Sequence, residues 1–402
     1  MGSPASGGEA AEVFLAFLKL GLTAFGGPVA HLGYFREEFV NRRRWLDEAA
    51  YADLVALCQF LPGPASSQVG FALGLRRAGL SGALAAWLGF TLPSAALMIA
   101  FAYGVGFMTG GWAQGVIHGL KLVAVAVVAQ AVWGMARTLT PDLRRLVIAA
   151  LACAMIFLAA GAFGQIGALL FGAVAGLAVC RTGQDEARPD PHPVTASRRI
   201  GVVAAILFPG LLIGAPVLGH MTDNAAVARF SAFYRSGALV FGGGHVVLPL
   251  LKQAVVDPGW IGPDVFLAGY GFAQAVPGPL FSFAAFLGAA MPGAPNGMWG
   301  GLIGLAGIFL PGMLALLAAL PFWSELQNFR SARAIMRGAN AAVVGILAAA
   351  LYNPVGTSAI RHPIDLGLAA AGFVLLTRFR TPPVMVVILG ATAGLALAVL
   401  RI

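Results

Sequence analysis

Long uncharged stretches alternate with short polar ones along most of this 402-residue chain. Segment 265–324 holds no Asp, Glu, Lys or Arg over 60 residues, and segments 146–180, 200–222, 338–360 and 381–400 are also free of them. A helix needs about 20 apolar residues to cross a bilayer. The pattern therefore predicts an all-α polytopic membrane protein, with re-entrant broken helices where Gly and Pro interrupt the apolar runs.

The interruptions occur twice, in the same order. Phe25-Gly26-Gly27-Pro28 matches Phe241-Gly242-Gly243-Gly244 at an offset of 216, and Pro62-Gly63-Pro64 matches Pro277-Gly278-Pro279 at 215. Such a repeat predicts two homologous membrane domains, 11–180 and 227–402. Paired broken segments at matching positions are typical of secondary transporters.

The join between the two domains, 181–226, has two parts. Residues 181–199 are dense in charge and proline, which predicts a cytoplasmic linker. Residues 200–219 are apolar enough to span a membrane, although Pro209 and Pro216 interrupt them.

The number of crossings decides how the halves are related. Segments 49–61 and 65–77 are each too short to span upright, and the Arg clusters that flank them predict a re-entrant hairpin. With that hairpin excluded, five crossings per half would invert the second domain relative to the first, which is the arrangement we favour. A spanning helix over 200–219 would instead make the halves parallel.

Composition and charge agree with a membrane location. The chain is 59% hydrophobic and only 10% charged, whereas soluble domains carry about 25% charged residues. The net charge of +9 comes from basic residues between the apolar runs. This is the positive-inside pattern of membrane proteins rather than a nucleic-acid surface. The three cysteines and six histidines lack ligand spacing, so neither a disulfide, a metal nor a cofactor is predicted.

Basic residues recur at equivalent positions of the two halves. Lys19 matches Arg235, each six residues before the Phe-Gly-Gly motif, and Arg36 matches Lys252. Ionisable groups within membrane spans are costly and are functional candidates. Two cations brought together across a pseudo-two-fold axis would form an anion site. Alternatively, Lys19 and Arg235 extend to an interface and the outer pair are loop charges.

Uncharged hydrogen-bond donors surround the Gly and Pro breaks. A helix that restarts after a break exposes unpaired N–H groups and carries about half a positive charge at its N-terminus, which suits oxyanions. Alternatively, the breaks merely kink packed helices. The predicted substrate-binding residues at the breaks are Gly26, Gly27, Gly63, Gly242, Gly243, Gly244 and Gly278, with Gln59, Gln274, Ser66, Ser67 and Ser282 beside them.

Two further ionisable residues lack a counterpart in the other half. Asp53 lies opposite Ala268, and it could carry a coupling proton or, as we prefer, pair with an arginine. His245 lies opposite Val29 and could titrate near neutral pH or form an ordinary hydrogen bond. Both are secondary candidates, as are Arg36 and Lys252.

The ordered motifs resemble the chromate ion transporter family over nearly the whole chain. The residues that carry the resemblance are Phe25-Gly26-Gly27-Pro28, His31, Trp45, Asp53, Gln59, Leu61-Pro62-Gly63-Pro64, Gly89-Phe90-Thr91-Leu92-Pro93-Ser94, Phe241-Gly242-Gly243-Gly244-His245 and Gln274 with Pro277-Gly278-Pro279. The resemblance implies a two-domain, long-chain member that exports chromate across the bacterial inner membrane in exchange for protons. Short members are single halves that work as oppositely oriented pairs, which favours the inverted arrangement.

Other functions are weighed against chromate export. Chromate and sulfate are tetrahedral dianions of similar size, so sulfate or another oxyanion stays an alternative substrate, and a passive anion channel an alternative mechanism. The spans carry no nucleophile, base and orienting group in sequence proximity, so an enzyme is not predicted. No Gly-Lys-Ser/Thr motif is present, which argues against ATP drive. The expected partners are the dianion, protons and the lipid bilayer, and a homodimer is one compatible assembly.

Overall fold

The computed structural model describes residues 9–25, 27–107, 111–158, 162–180, 197–241, 246–323 and 330–400. The first half contains α1 (Ala10–Thr23), α2 (Gly27–Phe35, continued by π-helical turns Arg36–Arg42), α3 (Glu48–Phe60), α4 (Ala65–Phe107), α5 (Gly111–Leu139), α6 (Leu143–Leu158) and α7 (Ala162–Val179). The second half follows α8 (Arg198–Thr222) and contains α9 (Ala225–Ala238), α10 (Val247–Leu251, continued by Lys252–Val256), α11 (Pro263–Ala273), α12 (Phe283–Ala290), α13 (Gly297–Ala319), α14 (Arg330–Ala350), α15 (Thr357–Ala359), α16 (Pro363–Thr377) and α17 (Pro383–Leu400).

The long helix α4 is a hairpin of two limbs. Ala78 and Gly79 have non-helical backbone angles and divide it into α4a (65–77) and α4b (80–107). A Cβ on Gly74 would lie 2.3 Å from the Gly82 carbonyl oxygen, so the last turn of α4a contacts the first turn of α4b. The predicted short piece over 65–77 is therefore present, and with α3 it forms the expected re-entrant hairpin.

The two ends of the molecule can be named from contacts. We call face A the end where Glu12 binds Arg43 at 3.6 Å and Arg77 at 3.0 Å. We call face B the end where the Tyr103 hydroxyl accepts a hydrogen bond from the Met298 N–H at 3.1 Å. Helix α4b connects the two, because it begins just after Arg77 and contains Tyr103 near its end.

Helix α1 does not cross the molecule. It runs from Glu12 at face A to Ala24, and α2 with its π-helical turns returns to Arg43 at face A. The 14 residues of α1 span about 21 Å at 1.5 Å per residue, less than the roughly 30 Å hydrocarbon core. The prediction of five crossings per half is therefore wrong, because α1 and α2 form a second re-entrant hairpin beside α3 and α4a.

The second half has the same order of elements and the opposite direction. At its start, the Arg229 guanidinium donates to the carbonyls of Pro292, at 2.7 Å, and of Pro295. Pro295 lies two residues before α13, which begins beside Tyr103 at face B. Helix α13 then runs towards face A, where Trp323 follows it and donates to Asp53 of α3 at 3.2 Å. Helices α4b and α13 are thus antiparallel, and the predicted inverted repeat is confirmed.

The apolar segment over 200–219 forms the single helix α8, which continues through Pro209 and Pro216. Its first residue, Arg198, lies over the Phe322 ring at face A, and its C-terminus leads to α9 at face B. Helix α8 thus extends from one face to the other. This corrects the expectation that a spanning segment here would make the halves parallel. The first half starts at face A with Glu12, and α8 also starts at face A with Arg198, so the first half returns to its own face. Helix α8 therefore adds the odd crossing that inverts the second half.

The last two helices of each half pack against the other half. Helix α17 lies against α5, where Cβ atoms on Gly115 and Gly119 would lie within 2.6 Å of the Gly394 and Gly390 carbonyls. Helix α7 lies against α14, where a Cβ on Gly338 would lie 2.0 Å from the Gly172 carbonyl. Glycines permit this close approach of helices in lipid, where hydrophobic burial does not drive association.

Five of the described helices are long and apolar enough to cross a membrane: Ala65–Val105, Gly111–Leu139, Arg198–Thr222, Gly297–Phe322 and Arg333–Ala359. Arginines concentrate at face A. They include Arg42 and Arg43 after α2, Arg77 in the α4 turn, Arg144 at the start of α6 and Arg198 at the start of α8. By the positive-inside rule, face A is the one expected to lie in the cytoplasm.

Candidate functional site

The four Gly and Pro breaks of the two halves are joined by a reciprocal pair of backbone hydrogen bonds. The Gly63 N–H donates to the Val240 carbonyl at 2.8 Å, and the Gly278 N–H donates to the Ala24 carbonyl at 3.0 Å. Each Pro-Gly-Pro loop thus binds the residue just before the Phe-Gly-Gly motif of the other half. We call this place the junction, defined by Ala24, Gly63, Val240 and Gly278. Two interrupted segments from each half meet at this junction.

Glycine is required in both Pro-Gly-Pro loops. Gly63 has a φ of 118° and Gly278 a φ of 95°, a region that residues with a side chain rarely adopt. Space is also lacking, because a Cβ would lie 2.7 Å from the Gly312 Cα at Gly63 and 3.0 Å from the Phe90 carbonyl oxygen at Gly278. These loops therefore place bare backbone against the spanning helices α13 and α4b.

The N-terminus of α4 opens directly at the junction. Helix α4 begins at Ala65, and the first N–H with an intrahelical acceptor is that of Gln68, which bonds the Pro64 carbonyl at 2.9 Å. The N–H groups before it therefore have no acceptor within the helix. Beside this end lies His31 of α2, whose Nδ1 is 3.5 Å from the Ser66 Oγ. His31 is 1% exposed and lies close to the Ala24 backbone.

Buried polar atoms around the junction lack hydrogen-bond partners. An unpaired buried polar group costs about 1–3 kcal/mol, so such groups usually find a partner. The Gln68 amide nitrogen is satisfied, because it donates to the carbonyls of Pro62 at 2.9 Å and Gly312 at 2.8 Å. The unpaired atoms are His31 Nε2, Ser67 Oγ, Gln68 Oε1, Thr91 Oγ1 and Gln274 Nε2. This set of donors and acceptors around a helix N-terminus can hold a small polar anion.

The remaining predicted neutral donors divide between the two halves. Ser282 is buried, and its hydroxyl donates to the Pro279 carbonyl at 2.8 Å. The Gln274 side chain interacts with the Tyr270 hydroxyl, while its own amide nitrogen is unpaired. Gln59, the counterpart of Gln274, is exposed. Gly27 begins α2 with a φ of 76° and has open space around its Cβ position.

Lys19 and Arg235 do not converge on one point. Lys19 lies on the face A side of the junction, is 54% exposed and has Glu38 as an ion-pair partner at 3.9 Å. Arg235 is also exposed, but it lies on α9, between Arg229 at face B and Val240 at the junction. The inversion of the halves separates the two cations because each precedes the junction on a helix that enters from its own face. That they bind a substrate stays a prediction. It now applies to an anion approaching the junction from face A, near Lys19, or from face B, near Arg235, and not to one site formed by both cations.

The secondary candidates have local partners. Arg36 donates to both Glu48 oxygens at 2.7 and 3.0 Å, and Lys252 lies 2.8 Å from Asp257. Both pairs sit at the outer ends of the hairpins, one at each face, and a carboxylate neutralises each cation. Asp53 is buried and accepts hydrogen bonds from Trp323. Gly26, Gly242, Gly243, Gly244, His245 and most of the predicted linker, 181–196, lie outside the described residues.

Sequence reasoning missed part of the polar set at the junction. His31, Gln68 and Thr91 had no support from the repeat, because their counterparts are Val247, Phe283 and Phe309. Ser94 was missed for the same reason, since its counterpart is Gly312. A usable signal was present, because His31 and Gln68 lie within a few residues of the breaks, and Thr91 and Ser94 flank Pro93 in an otherwise apolar segment. None of the four has a polar counterpart in the other half.

The fold and the junction define a multi-pass, inverted-repeat membrane protein with broken helices at its centre. A family model described as chromate transporter matches residues 11–177 and again residues 227–395, which are the two halves of the fold. The chain belongs to this chromate transporter family.

The relatives match the chain over nearly its full length. It is 29% identical over 396 residues to the chromate transport protein of Pseudomonas aeruginosa, covering 96% of this chain and 91% of that one. It is 26% identical over 394 residues to the chromate transport protein of Cupriavidus metallidurans, covering 94% and 91%. A probable chromate transport protein of Synechococcus elongatus is 26% identical, with 94% and 93% covered. No solved structure matches the chain.

Proposed function

We propose that the chain is a secondary transporter that exports chromate across the bacterial inner membrane, coupled to protons, with the dianion bound at the junction. The observation that carries the proposal is the reciprocal pair of hydrogen bonds from Gly63 to Val240 and from Gly278 to Ala24. Broken helices that meet at the interface of inverted repeats are where secondary transporters bind their substrates.

The chemistry of the junction suits a tetrahedral dianion. The free N–H groups at the start of α4 and the Ser67 and Thr91 hydroxyls can donate to oxyanion oxygens without a bound cation. His31 can donate through Nε2, depending on its tautomer. The buried carboxylates of the described residues, Glu38, Asp53 and Asp365, have partners away from this point. These carboxylates therefore do not lie where their negative charge would repel a dianion bound at the junction.

The test is uptake of radiolabelled chromate into inverted membrane vesicles, with face A outward. Vesicles with the chain should accumulate chromate, and collapse of the pH gradient should abolish accumulation. Collapse of the membrane potential alone, and competition by sulfate, are separate arms that define the coupling ion and the preferred oxyanion. Uptake equal to that of vesicles without the chain would reject transport of chromate. Uptake that never exceeds equilibrium would favour a passive channel.

A further inference from the structure

The two halves share a fold but are packed unequally, and the difference follows one side of each hairpin. On α3, Ala52 and Ala56 are exposed. Their counterparts on α11, Leu267 and Gly271, are buried. The same holds for the neighbouring hairpin, where Tyr34 is 42% exposed and its counterpart Leu250 is 6% exposed. Equivalent surfaces are thus covered in the second half and open in the first.

Helix α5 covers the hairpin of the second half. Helix α11 packs directly on α5, where a Cβ on Gly271 would lie 2.3 Å from the Leu120 carbonyl oxygen. The next residue of α5, Lys121, is 2% exposed. Its Nζ lies 2.6 Å from an Oδ atom of Asp264 at the start of α11. Asp264 is itself 57% exposed, but its removal would leave the buried Lys121 ammonium without this partner, which costs free energy. The ion pair therefore favours the packing of α11 on α5.

A second polar contact closes the same face. His118 of α5 lies 2.7 Å from Asp365, which is 1% exposed and accepts hydrogen bonds from the Arg361 and His362 N–H groups at the start of α16. Asp365, Asp264 and Arg361 all lie around the first half of α5, since Arg361 is 4.0 Å from Asp264. Face B is therefore closed by contacts that join both halves.

The equivalent closure does not occur at face A. Helix α3 makes no packing contact with α14 comparable to that of α11 with α5 in the described structure. The counterpart of Lys121 is Asn340, whose side-chain oxygen is buried without a partner. No ion pair of the Lys121–Asp264 type can therefore form there. The exposed residues Ala52, Ala56 and Gln59 follow one another along α3, between face A and the junction.

We propose that the structure is the state open towards face A, and that Lys121 and Asp264 form the latch that keeps face B closed. The inference rests on the proposed function insofar as it assigns the junction as the binding site. Transport then requires the halves to exchange packing: α3 closes on α14 while α11 leaves α5 and the latch opens. Inverted repeats supply both states from one fold, because each half can adopt the packing of the other.

The test measures the accessibility of single cysteines to a membrane-impermeant maleimide, with Cys58, Cys153 and Cys180 replaced. In inverted vesicles, which expose face A, Ala52→Cys should react rapidly and Leu267→Cys should be protected from either side. A position exposed only in a minor state of 0.1–10% reacts about ten to a thousand times more slowly. Tyr34→Cys and Leu250→Cys form a second pair, in case one substitution prevents folding.

The latch is tested by the double variant Lys121→Met with Asp264→Asn, which removes both charges and leaves neither unpaired. It should raise the labelling of Leu267→Cys from face B and lower that of Ala52→Cys from face A. Arg145→Gln removes an ion pair with Asp142, at 2.6 Å on face A, and should change neither rate. This control separates the loss of the latch from the loss of any ion pair.

Two results would overturn the inference. Equal protection of Ala52→Cys and Leu267→Cys, and of the second pair, would show that face A is not open. Unchanged labelling ratios in the double variant would show that the ion pair is no latch. If the expected labelling occurs in a chain that moves no chromate, the conformational inference stands and the proposed substrate fails.

Discussion

At the scale of single residues, the junction is symmetric in its backbone and asymmetric in its side chains. The glycines that make the reciprocal bonds, Gly63 and Gly278, are equivalent. The polar residues His31, Gln68 and Thr91 belong to the first half, and the equivalent positions of the second half are apolar. A dianion at the junction would therefore lie nearer to α2 and α4 than to their equivalents, and the substitutions with the largest effect should fall in the first half.

Replacing His31 should weaken chromate binding. A hydrogen bond to a charged group is worth about 1.5–3 kcal/mol, so His31→Ala should raise the Kd for chromate about tenfold to a hundredfold. The measurement is equilibrium binding of radiolabelled chromate to the purified chain. Gln165→Met is the matched control, because Gln165 also has a buried unpaired oxygen but contacts Pro249 away from the junction. Equal affinities of both variants would remove His31 from the site.

Replacing Gly63, one of the two positive-φ glycines at the junction, should destabilise the chain and abolish transport. Gly63→Ala adds backbone strain of about 1–2 kcal/mol and an overlap with Gly312 that costs about 1–3 kcal/mol. Gly259→Ala is the control, because Gly259 has a φ of 78° and open space around it. Thermal unfolding in detergent should show a clearly lower midpoint for Gly63→Ala than for Gly259→Ala. Matching midpoints and intact transport would contradict the role given to this loop.

The sequence located the residues at the breaks, but it did not indicate which other polar residues tertiary packing would bury beside the junction. Gly63, Gly278, Ser66 and Ser67 follow from the breaks, because a Pro-Gly-Pro loop followed by an apolar run must expose a helix N-terminus. His31 could not be selected in this way, since nothing in a sequence shows which side of α2 faces the junction. The repetition of basic residues did not indicate which cations lie close together, because inversion separates equivalent cations such as Lys19 and Arg235.

At the scale of elements, the short first helix explains why the predicted number of crossings was wrong. The sequence shows that the chain breaks at Phe25-Gly26-Gly27-Pro28, but a Gly-Pro break can either kink a helix or reverse its direction. Here the chain reverses, because Ala24 is held by Gly278 and Arg43 returns to Glu12. Both contacts are long-range. The local sequence therefore gives the position of the break. Contacts with distant segments determine whether the chain kinks or reverses there.

Close glycine contacts between helices of opposite halves should dominate the stability of the bundle. Gly119→Ala places a Cβ 2.1 Å from the Gly390 carbonyl oxygen, so α17 must move away from α5 at a cost of about 1–3 kcal/mol. Gly134→Ala on the same helix meets open space and should gain up to about 1 kcal/mol of helix propensity. Thermal unfolding should therefore separate the two variants in opposite directions. A stabilised Gly119→Ala would show that the helices are not packed as described.

At the scale of the whole molecule, α8 determines the relation between the halves. The first half begins at face A with Glu12 and has returned to face A where α8 begins with Arg198, so its number of crossings is even. Two such halves joined directly would point the same way. Helix α8 carries the chain from face A to face B, so α9 starts opposite to α1. The apolar join is thus part of the architecture, although the repeat itself ends before it.

The inversion makes a prediction that needs neither substrate nor transport. The turn between α4a and α4b should lie in the cytoplasm, and its equivalent before α13 should lie outside. Ser81→Cys and Ala294→Cys, both at exposed positions, should therefore react with an impermeant maleimide from opposite sides of the membrane. Arginines near Ser81 fix the assignment, since cytoplasmic loops are enriched in Arg and Lys. Labelling of both positions from one side would make the halves parallel, and the two hairpins could not then meet at the junction from opposite faces.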